Sequence, residues 1–222
     1  MEVLGKSVEG RDVELHSFGD GEEVVVFFGA FHGDEPESAE ILQDFIAHLE
    51  SHPELLKDRF AVIVPIVNPD GLARGSRKNA NQVDLNRNFP TGNWNSEGKG
   101  TDYWGGNAPA SEPETKFVVD ILERYQPARI ISIHAPYHCV NYDGPAEELA
   151  ELLSKENGYE VKPSIGYPTP GSFGTYAGIE KKIPTITLEL PPDKTQDVWA
   201  SNRRALVKAL RGNESWSKLE QN

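Results

Sequence analysis

Four short apolar runs, alternating with helical patterns, restrict this chain to few folds. They are Glu23–Gly29 (EVVVFFG), Arg59–Val67 (RFAVIVPIV), Ala128–His134 (ARIISIH) and Pro184–Leu190 (PTITLEL). Runs of this length, rich in Val, Ile and Phe and apolar on both sides, read as strands buried on both faces. Between and after them lie helical signals. Glu37–Leu49 places Ala39, Ile41, Leu42, Phe45, Ile46 and Leu49 at helical spacing. Ser111-Glu-Pro-Glu114 has the form of a capping box and predicts a helix through Tyr125, with Phe117, Val118, Ile121 and Leu122 on one face. Ala146–Asn157 and Asp197–Leu210 add two more helices. The alternation predicts an α/β domain: a twisted, mixed but mostly parallel sheet with helices on both faces.

A length of 222 residues suits one such domain over the whole chain, 1–222, with 213–222 as a loose polar tail. In open α/β sheets ligands sit at the carboxyl ends of the strands. His32, Asn68, His134 and Glu189 all fall at or just past a predicted strand end. A long polar stretch, Asn68–Pro109, interrupts the alternation, and loops of that length in a compact domain are usually functional or disordered.

The formal net charge is −13, from 22 basic and 35 acidic residues, which excludes a general nucleic-acid binder. Against that background Leu72–Asn88 gathers Arg74, Arg77, Lys78 and Arg87 around one acid, Asp84, and so suggests a pocket for a small anionic ligand. No apolar run approaches the roughly 20 residues that span a bilayer. The N-terminus lacks the basic start and apolar core of a secretory signal. Cys139 is the only cysteine, which rules out an intramolecular disulfide and fits a reducing compartment. A cytoplasmic protein is expected; the oligomeric state is not legible.

His32 and Glu35 are two residues apart in a turn where Gly33 lets the backbone approach closely. With His134 they form a two-imidazole, one-carboxylate set, which leaves one zinc position open as in catalytic sites. His134 and His138 mimic a helical metal pair, but Pro136 between them makes a helix there unfavourable. His16, His48 and His52 read as solvated, and Cys139 as a small buried apolar residue. Glu189 is a lone acid in an apolar strand, placed to accept a proton from water and return it to a leaving amine. Arg77 and Arg87 are candidates for the oxyanion and for a substrate carboxylate.

These segments resemble the zinc carboxypeptidase family: H-x-x-E at His32–Glu35, N-P-D-G at Asn68–Gly71, D-x-N-R-N at Asp84–Asn88, a distal histidine, His134, and a late-strand acid, Glu189. Within that family they are most similar to the bacterial murein peptide amidases. That narrower likeness rests on Asn79–Pro90, Ser111–Thr115 and Ser164–Gly174. The resemblance implies a zinc carboxypeptidase-like fold and one zinc ion per chain on His32, Glu35 and His134. It implies Glu189 as general base and acid, and Arg77 as the group polarising the scissile carbonyl. It implies Asn86 and Arg87 as the grip on the substrate's terminal carboxylate. Tyr167 matches a tyrosine that closes over substrate, and Asp84 the acid that orients a zinc histidine. The implied reaction is hydrolysis of the γ-D-Glu–meso-diaminopimelate bond of L-Ala-γ-D-Glu-meso-diaminopimelate during recycling of cell-wall peptides. The alternatives are a general metallocarboxypeptidase, a deacylase of N-acyl amino acids, or a catalytically silent wall-peptide binder.

Overall fold

The computed structural model describes residues 1–193 and 195–216. Of the expected polar tail, 217–222 lies outside the described residues. One sheet of eight strands, in the order β1-β2-β4-β3-β5-β8-β6-β7, forms the centre. The four expected strands are its interior: β3 (Glu23–Phe28), β4 (Arg59–Val64), β5 (Arg129–His134) and β8 (Thr185–Glu189). They pair parallel as β4-β3-β5-β8.

Around them are β1 (Glu2–Lys6), β2 (Asp12–Gly19), β6 (Cys139–Asp143) and β7 (Glu160–Lys162), which the apolar-run criterion passes over. β1, β2 and β6 join through antiparallel pairings, and β7 pairs parallel with β6. The physical reason for the omission is half-burial. In β2 buried Val13 and Leu15 alternate with exposed polar residues, and β7 spans three residues.

The two faces bury different sets of helices. α1 (Pro36–Ser51), α4 (Glu147–Asn157) and α5 (Val198–Arg211) pack over Val25, Phe27, Ile63, Ile131, Ile133, Ile186 and Leu188 on one face. Val118, Ile121 and Leu122 of α3 (Pro113–Tyr125) cover part of the other, with Leu85, Phe89 and Phe173 from irregular segments. Each fully buried Phe or Leu in these layers contributes about 1.5–3 kcal/mol.

Two local expectations need correction. The capping box at Ser111 does not form: the N-cap is Glu112, with no side-chain cap bond. Glu114 instead accepts from the Val8 amide and the Asn79 side chain, while Ser111 donates to Glu112. The stretch 68–109 is also not wholly irregular. It contains α2 (Pro69–Arg74), capped by the Asn68 side chain, and a 3-10 turn at Leu85–Arg87 capped by Asp84. Asn68 is therefore a buried capping residue, its oxygen accepting from Gly71 N at 2.8 Å.

Candidate active site

Side chains alternate across a strand, so β5 and β8 each turn one set of residues away from the three-helix layer. His134 and Glu189 belong to that set, each closes its strand, and the two are register partners in the parallel pair. His32 comes from the turn after β3, and Glu35 is the N-cap of α1. Gly33 in that turn lies against Gly71, and a Cβ there would collide with the Gly71 carbonyl carbon. Beneath the site, Phe31 stacks on His134 with ring centroids 5.7 Å apart and planes 9° from parallel, and packs against Phe28, Phe89 and Phe173.

Nδ1 of His32 and Nδ1 of His134 approach to 3.2 Å, both aimed at the carboxylate of Glu35. Glu35 Oε1 lies 2.7 Å from the first imidazole and Oε2 3.0 Å from the second. The Ala135 amide also donates to Oε2 at 3.2 Å. All three residues are buried and could hold a metal ion together. On the far side of its ring, His32 Nε2 lies 3.0 Å from Asp84 Oδ1. An ionised carboxylate can only accept, so Nε2 carries a proton and Nδ1 is the atom left for a cation. The donor set, its convergence and this orienting acid fit zinc.

Electrostatics point the same way. Burial alone would lower the His32 pKa, but the Glu35 and Asp84 charges outweigh it and push it up to about 9. Glu35 and Asp84 are both desolvated, which would raise their pKa values. His32 and His134 hold Glu35, and His32 with Arg77 holds Asp84, well below the usual carboxylate range. Without an ion, a proton therefore sits where a cation is favoured. Glu189 differs. Burial pushes its pKa up, Glu35 adds to that, and His134 opposes it. The one hydrogen bond to its carboxylate among the described residues is accepted from the Tyr137 amide, at 3.3 Å.

A cavity of about 170 Å³ opens beside these residues. Its walls include every expected site residue except Asp84, which lies behind His32 with no exposure. Arg77 donates to Asp84 Oδ2 through Nε at 3.1 Å and Nη2 at 2.9 Å, and its Nη1 stands 3.8 Å from Glu35. Arg87 is 5 % exposed, donates to the Asn86 carbonyl at 2.6 Å, and has no ion pair among the described residues. Asn86 Oδ1 accepts from the Phe173 amide at 2.8 Å, which leaves its amide nitrogen to the cavity. Tyr167 is 39 % exposed at the mouth, its hydroxyl 3.2 Å from that of Tyr137. That contact, then burial, pushes the Tyr137 hydroxyl up to about 12.

The remaining histidines stay outside the cavity. His138 has a φ of 49° and places its ring against Tyr159, while His48 and His52 pack on each other. Cys139 is fully buried, as expected. Sequence reasoning missed Tyr103, which lies over both guanidinium groups at 5.3 and 5.7 Å, and Tyr137 and Asp143, which also line the cavity. Tyr137 carried a signal, since it stands three residues past His134; Tyr103 and Asp143 carried none.

A strand-end His–Glu–His cluster, a buried acid beside it and paired arginines across one cleft define a metallopeptidase of the carboxypeptidase type. The zinc carboxypeptidase family model matches residues 1–157, and the chain belongs to that family, whose members hydrolyse peptide bonds. Among its relatives, murein peptide amidase A of Escherichia coli (strain K12) is 36 % identical over 192 residues, covering 81 % of this chain and 76 % of the relative. Murein peptide amidase A of Vibrio campbellii is 38 % identical over 209 residues, covering 85 % and 78 %. The crystal structure of murein-tripeptide amidase from Escherichia coli O157 superposes with a TM-score of 0.78 at 30 % identity, covering 96 % of this chain and 92 % of that one.

Proposed function

We propose that this protein is a murein tripeptide amidase, releasing meso-diaminopimelate from L-Ala-γ-D-Glu-meso-diaminopimelate with one zinc ion per chain. The observation that carries this reading is the pairing of the His32–Glu35–His134 cluster with a buried, carboxylate-free Arg87 in the same cavity. The substrate ends in a carboxylate and carries further anionic groups. The amidase relatives supply the substrate by similarity.

His32, Glu35 and His134 would hold the ion, which when bound polarises a carbonyl and lowers the pKa of water from about 15.7 toward 7. Arg87, with Asn86 beside it, fixes the terminal carboxylate of the substrate through its planar fork. That anchor sets the scissile amide between Arg77 and Glu189. Arg77 reaches for the carbonyl oxygen as it gains negative charge, a contribution on the order of 10²–10³ in rate for one donor. Glu189 takes a proton from the attacking water and delivers it to the departing amine. Its raised pKa brings it nearer the operating pH, where the exchange works in both directions. Tyr137 and Tyr167 close the mouth and exclude bulk water.

Among the described residues no helix is long and apolar enough to cross a membrane. With the single cysteine, this supports a cytoplasmic site of action for a recycling enzyme. The test is release of free diaminopimelate from the tripeptide by zinc-loaded protein, with a chelated control and an ordinary C-terminal peptide in parallel. Chelator-sensitive release from the tripeptide alone is expected. Cleavage of the ordinary peptide alone would move the substrate to a general carboxypeptidase.

A further inference from the structure

The cavity continues past the reacting centre along a strip of polar side chains that the mechanism above does not use. β6 and β8 run antiparallel, with Cys139 opposite Glu189, Asn141 opposite Thr187 and Asp143 opposite Thr185. The alternate residues Val140, Ile186 and Leu188 face the three-helix core. Glu189, Thr187, Asn141 and Asp143 therefore line the same wall of the cavity. At the far end of that wall stands Asp143.

Its surroundings are unusual for a carboxylate. The Asp143 carboxylate has no hydrogen bond or ion pair among the described residues, although the residue is only partly exposed. Space for it is made by glycine: a Cβ on Gly174 would collide with its carboxylate oxygen Oδ2, and one on Gly178 with its Cβ. Gly174 also lines the cavity, so any side chain there would displace the Asp143 carboxylate. An uncompensated, desolvated charge costs stability and, in a folded protein, calls for a partner. A cation that arrives with the ligand supplies such a partner.

The dimensions identify which cation. Four residues of antiparallel strand separate the Glu189 level from Asp143, about 13–14 Å. In an extended residue with an amino group on its ε-carbon, the backbone and side-chain nitrogens are about 7–8 Å apart. Hydrogen-bond reach of about 3 Å at each end makes up the remainder. We infer that Asp143 is the specificity residue for the leaving-group side: it binds the side-chain ammonium of the residue released by hydrolysis. This deepens the amidase reading and rests on it for the identity of that residue, meso-diaminopimelate. Burial pushes the Asp143 carboxyl up in the free protein, and a bound ammonium reverses that effect.

The test compares tripeptides ending in meso-diaminopimelate and in 2-aminopimelate, which keeps the distal carboxylate and lacks the amine. Wild-type protein should favour the amine by about 10- to 100-fold in kcat/KM, the worth of one charge-assisted contact. Asp143→Asn should collapse that ratio toward unity while melting no lower than wild type, because it removes an unpaired charge. A merely structural Asp143 would instead lower melting temperature and reduce both substrates together, and that result overturns the assignment. Gly174→Ser, which pushes on Asp143 from the opposite wall, should reduce the same ratio and gives a second route should the first variant misfold.

If neither tripeptide is cleaved, the same comparison on acyl-lysine against acyl-norleucine separates the two ideas. A lysine preference lost in Asp143→Asn keeps the ammonium site and discards the murein substrate. No amine preference in wild type on either pair, with calorimetry showing meso-diaminopimelate and 2-aminopimelate binding equally, discards the site itself.

Discussion

Replacing Asp84 by Asn keeps shape and volume and removes only a charge, so its effect can be worked out from four contacts. Asp84 is fully buried and accepts from His32 Nε2 at 3.0 Å, Arg77 at 2.9 and 3.1 Å, and the Asn86 amide at 2.9 Å. An asparagine offers one oxygen and one NH₂ group. If the oxygen faces His32 and Asn86, the NH₂ confronts the Arg77 guanidinium; the flipped amide turns it on His32. One buried cation loses its partner either way, at about 3–5 kcal/mol when fully desolvated. The Arg77 side chain keeps 22 % exposure, which places the cost toward the lower end. For a chain of this size about 3 kcal/mol corresponds to about 6–12 °C of melting temperature. Zinc affinity should fall about 10- to 100-fold, because His32 is no longer held in one tautomer. Chelator competition measures the affinity, and melting in excess chelator measures the stability without metal. A variant that melts early yet binds zinc within about twofold of wild type would show that Asp84 supports the loop and not the ligand. One that matches wild type in both assays would refute the reasoning altogether.

Glu189→Gln should retain zinc at wild-type stoichiometry and lose about 10²–10⁴ in kcat, read by diaminopimelate release and metal analysis; near-wild-type turnover would remove Glu189 from the chemistry. Arg87→Lys substitutes a point charge for a planar fork in a buried slot, so KM should rise about tenfold or more with a smaller change in kcat, and an unaltered KM would move the terminal carboxylate elsewhere. Because the His32 pKa lies near 9 without metal, zinc must displace about one proton at pH 7. Affinity should therefore climb with pH and level off above about 9, and calorimetry in buffers of different ionisation enthalpy counts the proton released. In metal-free protein the raised His32 pKa stabilises the fold fully below about pH 6.5, and this contribution is lost as pH rises through about 9. Melting in chelator across that window measures it.

The interior of the sheet was legible because β3 and β4 are apolar at nearly every position, and β5 and β8 are apolar at the positions facing the three-helix layer. β6 was not, because one of its faces lines the cavity: Asn141 and Asp143 break the apolar pattern for a functional reason. His32, Glu35, His134 and Glu189 were legible because spacing in a turn and position at a strand end are sequence-local properties, whereas Asn86, Tyr167 and Asp84 were expected through the family resemblance; the cavity or its backing contains them all. Tyr103 and Asp143 reach the cavity only through the course of a loop and the register of a strand pair, and neither is written in local spacing. The failed capping box at Ser111 has the same origin. Asn79, Asn81 and Asn88 capture the side chains of Glu112, Glu114 and Ser111 for the loop, so the helix start is governed by a tertiary network.

His32 and His134 meet only because β3 and β5 are aligned in parallel, although the two residues are 102 positions apart in the chain, with α1, β4 and α3 between them. A junction of that kind closes late, since the entropy of a long connection is lost before the pairing returns anything. The metal-binding centre thus matures at the end of folding: a nascent chain offers His32 and Glu35 early, but presents no third ligand until the central strands have docked. Metal uptake in this protein then serves as a timestamp for the docking of β5 on β3, and a variant slow in that step should reveal itself as delayed zinc capture before any defect in catalysis is seen.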